Sequence, residues 1–347
     1  IRDITSTENG STITLDNSYD VITTPVTFRF YGFNAEGDGG TFSIDNVVFN
    51  GTVSSAGITT TQNGDWYVGS TWVGGVVPTS DQNVIINHQV TANAAITRNA
   101  GTFTTITTAG TLAMSNATYT NNGTTTVNGI FELQTGSFAN GTNNFVYSPT
   151  TGTLNFNVGS SYGVNNDHVY WPTSSGPFNV NVLNGGFTLN SANRTINGTL
   201  NVSNGGVALN NSSLLLNGIG RINSGGFFSN APIYGAASSL IYNSGGTYNR
   251  GNEWQADGVG SIGTTLGYPN NLRLSNNTVL NYNYGMPLPK AINGSLTIDA
   301  GCEFDMSQGG TSGGPLTVAS NVSNAGNLTL GNTIGDDLLL GGNFTQT

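Results

Sequence analysis

The sequence is short of most things that hold small or charged proteins together. It has one cysteine, Cys302, in 347 residues, which excludes an internal disulfide framework and a cysteine-based zinc site. It has a single lysine, Lys290, and eight cations in all against 18 acids, for a formal net charge of −10. A nucleic-acid binder needs cations to displace phosphate counterions, so that class is excluded. Charged residues total only 7%, and a long-helix or coiled-coil chain would be rich in Ala, Glu, Lys, Leu and Arg. No apolar run approaches the roughly 20 residues of a membrane helix, and the opening IRDITSTENG carries no signal-peptide core. That opening and the abrupt close on GGNFTQT both read as cuts, so a segment of a larger polypeptide is expected.

What is abundant is turn chemistry: 50 Gly and 49 Asn, alongside 36% apolar and 10% aromatic residues. From Asp65 onward, pairs of apolar residues flank one polar residue, and Asn/Gly punctuation follows each pair. Val84 and Ile86, Leu200 and Val202, Val207 and Leu209, and Leu214 and Leu216 are such pairs. The series resumes at Leu296 and Ile298, Phe304 and Met306, Leu316 and Val318, Leu328 and Leu330, and Leu338 and Leu340. Each pair marks the inward face of a very short strand, and no helical period survives. Antiparallel hairpins could give this spacing. Asn and Gly favour a right-handed parallel β-helix, because its corners need residues that tolerate left-handed backbone. Asn at equivalent corners can also stack its amides into ladders.

A longer repeat supports the solenoid. RTINGTLNV (194–202) recurs as KAINGSLTI (290–298), with a cation, Ile, Asn-Gly and Leu in register. An aromatic-rich block precedes each copy, and Tyr162 answers Tyr248 as Trp171 answers Trp254. Such inserts map to loops on one face of a stacked array, where repeat proteins keep their binding surfaces.

The first 53 residues differ. TPVTFRFYGF (24–33) and TFSIDNVVFNG (41–51) alternate strictly around the turn AEGDGG, as antiparallel strands do. They read as the C-terminal part of a β-sandwich of jelly-roll type, followed by a linker over 54–64 and the β-helix over 65–347. Glu36, Asp38 and Asp45 flank that turn and are candidate calcium ligands, since calcium takes several oxygens from one loop. A plain polar turn is the alternative. No other cofactor is expected.

The run GDWYVGSTWVGGVVPTSDQNVIIN (64–87), the blocks YNSGGTYNRGNEW and AINGSLTIDAG, and the closing LLLGGNFT resemble the large secreted β-helical repeat proteins of Bacteroidetes. FRFYGFNAEGDGGTFSIDNVVFNG resembles the end of the sandwich modules that precede such regions. The resemblance implies an adhesin-like protein, extracellular or at the cell surface and exported by a type IX system. Its partners would be the secretion machinery or other surface components. It supplies no catalytic motif.

Asp299, Glu303 and Asp305 could approach one another on an outer wall, as glycan cleavage by paired carboxylates requires. With no cation nearby in sequence, solvated acids are the plainer reading. His88 and His168 have no partner at a ligand spacing. The threonine-rich TFTTITTAG (102–110) raises ice binding, but the pattern does not recur coil after coil. The best binding candidates are Tyr162, Tyr170, Trp171, Tyr248, Trp254 and Tyr268, whose rings could stack on glycans. The structural alternative is that each Trp plugs the wall where its insert leaves the coil.

Overall fold

The structure is a computed structural model that describes Thr27 and residues 57–347 apart from 283–287, 308–313 and 332–333. The chain divides into units Ile1–Ala56 and Gly57–Thr347. The expected sandwich, and with it Glu36, Asp38 and Asp45, lies outside the described residues. The second unit is a parallel β-solenoid of about 13 turns. Its only helical pieces among the described residues are three single 3-10 turns, Gly69–Thr71, Val73–Gly75 and Asn252–Trp254. None is long or apolar enough to cross a membrane.

Each coil contributes to three faces, named here A, B and C in chain order. Face B is unbroken: thirteen strands run from Gly64–Asp65 to Phe344–Gln346, each paired parallel with the next. Its first inward column is Val90, Leu112, Phe131, Leu154, Val180, Leu200, Gly220, Leu240, Leu272, Leu296 and Val322, all register partners. Gly220 leaves a gap in that column, and the side chains of Leu216 and Tyr234 reach into the space beside it. In the plain coils, Val180, Leu200, Gly220 and Leu240 recur every 20 residues. The apolar pairs read from sequence are the buried columns up to Val318; in the last coils Leu328, Leu338 and Leu340 are only partly buried and Leu330 is 51% exposed.

The solenoid starts earlier than the sequence suggested. Ile58–Thr59 pairs with Val84 and Ile85, and Gly64–Asp65 pairs with Val90 and Thr91. Residues 58–64 therefore belong to the first coil rather than to a linker. Their Thr-rich composition hid this, because one buried residue in seven, Thr60, makes no pattern.

The Asn/Gly corners do two different jobs. Between faces B and C, a left-handed residue recurs in nine successive coils, as in Asn116, Gly136, Gly159, Asn204 and Gly225. Between faces A and B, glycine is needed for close approach instead. A Cβ on Gly218 would lie 2.0 Å from the carbonyl oxygen of Gly198 one coil below, and one on Gly129 would lie 2.2 Å from that of Gly110. Left-handed tolerance was the expected reason at each corner; it holds between faces B and C, holds in some coils between faces C and A, at Gly101, Gly141, Ser191 and Asn211, and fails between faces A and B.

Amide ladders form, though the longest lies mid-strand on the outer surface of face B. Asn201 Nδ2 donates to Asn181 Oδ1 (2.8 Å), and Asn181 Nδ2 donates to Asn155 Oδ1 (2.8 Å). Asn155 Nδ2 then donates to the Glu132 carboxylate (3.1 Å). Asn181 and Asn155 each donate and accept at once, so the ladder is polarised towards its anionic end. Asn181→Asp removes the donor and sets a carboxylate against Asn155 Oδ1. The expected cost is about 1–3 kcal/mol at neutral pH, read from the urea midpoint. It should shrink below about pH 4, where the new acid is protonated and donates again.

Candidate functional site

Both aromatic inserts sit where face A is interrupted. Face A has a strand at Val146–Tyr147 and next at Arg194–Ile196, then a strand at Ile233–Tyr234 and next at Lys290–Ile292. Residues 166–178 and 250–270 occupy the missing positions. The insert coils are longer than plain ones, since Leu154 pairs with Val180 and Leu240 with Leu272. The paired copies found in sequence fall on equivalent faces: Arg194 and Lys290 both open a face A strand, and Tyr162 and Tyr248 both lie on face C.

The rings point inward. Trp171, Tyr170 and Trp254 are fully buried and Tyr268 nearly so, while Tyr162 and Tyr248 are half-buried against the core. Trp171 packs against Phe156 (5.9 Å) and edge-on to Phe187 (5.2 Å). Trp254 packs against Tyr282 (5.7 Å) and Phe304 (6.3 Å), and its Nε1 donates to the Ala291 carbonyl (3.1 Å). The phenol of Tyr162 donates to the Ser137 carbonyl (3.1 Å). The six aromatics thus form separate plugs, and no Trp face is presented to a sugar. As a ligand platform they are unavailable, because an insert that removes a strand leaves a hole that large rings must fill.

A third plug closes the first coil. Trp66 and Trp72 are buried edge-to-face at 5.0 Å, and Trp72 Nε1 donates to the Trp66 carbonyl (2.7 Å).

The sequence reading missed what holds the plugs, which is buried cations. Arg194 donates to the carbonyls of Asn165 (2.9 Å) and Asn193 (2.9 Å) and reaches the Asn166 side chain (3.4 Å). Lys290 donates to the Gln255 carbonyl (3.0 Å) and pairs with Asp257 (2.5 Å). Arg98 donates to the Thr79 carbonyl (2.6 Å) and to that of Gln82. Arg250 binds the carbonyls of Tyr282 (2.7 Å) and Trp254 (2.9 Å). These loops lack ladder partners for their carbonyls, and a guanidinium or ammonium satisfies several at once. The signal was in the sequence: a cation opens both copies of the repeat.

Glu253 is the one fully buried carboxylate in the second plug. It accepts from the Gly251 N–H (2.8 Å), the Tyr242 hydroxyl (2.9 Å) and the Tyr248 hydroxyl (3.5 Å). Burial pushes its carboxyl above the usual range, although these donors and Arg250 pull the other way. Burial also holds the Tyr234 and Tyr242 phenols well above 10, so both stay neutral donors. A carboxyl raised in the folded state binds more protons there than in the unfolded chain. Its stabilising share is complete below the unfolded value of about 4.3 and is lost as pH rises through the folded value. Glu253→Gln keeps an acceptor for Gly251 and Tyr242 without the charge. We expect it to raise the urea midpoint at pH 7 and to flatten its dependence on pH above about 4.

The candidate acids and histidines among the described residues each have a protein partner. Asp299 is bound by Arg273 from the preceding coil (2.8 Å), a neighbour invisible to sequence distance. Glu303 accepts from Thr329 (2.7 Å), and Asp305, expected outside, is buried and accepts from Ser307 (2.6 Å). His88 Nδ1 meets Thr60 (2.9 Å). His168 Nδ1 meets Tyr170 (2.8 Å), and its partial burial lowers the imidazole below its ordinary range. Thr104 of the threonine-rich run points inward and is buried, so that run forms no continuous outer rank. Among the described residues, no three His, Cys, Asp or Glu side chains gather as a metal site would.

The strand pairing and the plugs define a parallel β-solenoid with aromatic-filled interruptions. No family model, curated protein or solved structure matches the chain.

Proposed function

We propose that the chain is a non-enzymatic stalk segment of an adhesin-like protein, placed on or beyond a bacterial cell surface and exported as type IX substrates are. One observation carries this reading: among the described residues, every Trp, most other large aromatic side chains and four of the six cations are buried, closing the core where coils are interrupted. A molecule that spends its recognition residues on continuity is suited to spanning distance. Thirteen coils at about 4.8 Å extend the solenoid by roughly 60 Å, with no need of disulfides. The resemblance to secreted Bacteroidetes proteins supports the location and route. The rival reading, a glycan-binding or glycan-degrading β-helix using aromatic loops, is weakened because four of those six rings are buried and Tyr162 and Tyr248 are half-buried against the core.

The test is surface proteolysis of a Bacteroidetes host expressing the full reading frame, with its type IX exporter intact or deleted. Exporter-dependent loss of the protein to added protease is the expected result, and protection in both strains would overturn the assignment. Release of reducing ends from surface polysaccharides by the purified protein would end the non-enzymatic reading.

A further inference from the structure

Six cations lie among the described residues, and four of them, Arg98, Arg194, Arg250 and Lys290, are buried. The two left at the surface occupy one outward column of face B. Arg221 pairs in register with Ile241, and Ile241 with Arg273. Two inter-strand steps separate their stems by about 10 Å. No described residue forms a hydrogen bond or ion pair with Arg221. Arg273 is steadied by Asp299 through Nε (3.0 Å) and Nη2 (2.8 Å), which leaves Nη1 uncommitted. Arg273 lines a depression of about 290 Å³ together with Ile219, Ser239, Ile241, Asn271 and Thr297, and Arg221 stands just outside that lining as the register partner of Ile241.

We propose that this depression binds an acidic oligosaccharide. Arg221 would take one carboxylate or sulfate, Arg273 would take a second further along the chain, and Ile241 would lie beneath the intervening ring. The charge argument is complementarity: on a chain of net charge −10, the two cations that are not buried among the described residues stand together, and guanidinium forks suit carboxylates and sulfates. The class of ligand follows from the surface. Backbone groups of face B are tied into parallel ladders on both sides here, so a peptide finds no open edge to extend. The polar groups that line the depression are the hydroxyls of Ser239, Ser295 and Thr297, the Asn271 amide and the Arg273 guanidinium, and these match sugar hydroxyls and acids. The site goes beyond the stalk reading and does not depend on it, since it needs no particular location or export route.

Calorimetric titration of the full chain at low salt, with hexameric oligogalacturonate and with a heparin-derived hexasaccharide, tests the proposal. Binding of at least one is expected, weakened about tenfold by Arg221→Gln and by Arg273→Gln and weakened again by added salt. Arg221→Gln should melt with the parent protein, since its side chain holds nothing. Absence of binding by both ligands at millimolar concentration, or equal binding by Arg221→Gln, overturns the site. Equal binding of maltohexaose overturns the role of charge, and equal binding of hexaglutamate overturns the saccharide assignment.

Discussion

Trp254→Ala is expected to cost about 3–5 kcal/mol, the range for deleting a large buried aromatic, and to open the wall locally. Trp254 has no solvent-exposed surface and fills the position of a missing face A strand. Its loss strips contacts from Tyr282 and Phe304 and frees the Ala291 carbonyl. Solenoid stability is close to a sum over coils and their interfaces. Amide exchange should therefore rise over 250–298 and much less at the first coils. A ring that served only as a sugar platform would leave exchange unchanged, and that result would remove the plug from the account. Phenylalanine sharpens the test. Trp171 Nε1 has no acceptor among the described residues, whereas Trp254 Nε1 has one, so Trp254→Phe should cost about 1 kcal/mol more than Trp171→Phe.

Arg194→Met should cost about 2–4 kcal/mol, because a side chain of similar length remains but the buried carbonyls of Asn165 and Asn193 lose their donor. The effect should be confined to the first aromatic insert, seen as faster exchange over 165–178 with the coils near 300 unchanged. Lys290→Met should act the same way on 255–267, more weakly, because its partner Asp257 is 55% exposed and can be solvated. A uniform loss of protection across all coils would mean that these cations stabilise the solenoid generally and do not pin the inserts.

The fold was legible because its signal is periodic. An apolar pair every coil, Asn and Gly at the corners, and almost no charge can be satisfied together by stacked parallel coils. The recurrence of RTINGTLNV as KAINGSLTI fixed which stretches are equivalent. The first coil was not legible, since Ile58–Thr59 and Gly64–Asp65 are two-residue strands with almost no pattern of their own. They are strands because Val84 and Val90 pair with them.

The candidate sites were less legible, for a reason visible at particular residues. Trp171 and Trp254 in Gly/Asn-rich stretches read equally as platform or plug, because composition does not say which way a loop folds. Burial decided it. Arg273 and Asp299 are 26 residues apart in sequence and 2.8 Å apart in space, because one coil returns the chain to the same column. Asp305 was assigned outward by strict alternation and is buried, since the strand Glu303–Asp305 ends there and the chain turns over it through Ser307.

The sequence by itself determined the winding: which apolar pairs face inward along most of the solenoid, where corners fall, and that one cysteine makes no internal disulfide. It could do so because each of those choices is local, set by side-chain period and by backbone tolerance at single residues. Only the tertiary structure decided what the aromatics, cations and acids do. Their roles depend on neighbours one coil away, and the number of residues in a coil varies, so no fixed spacing encodes them.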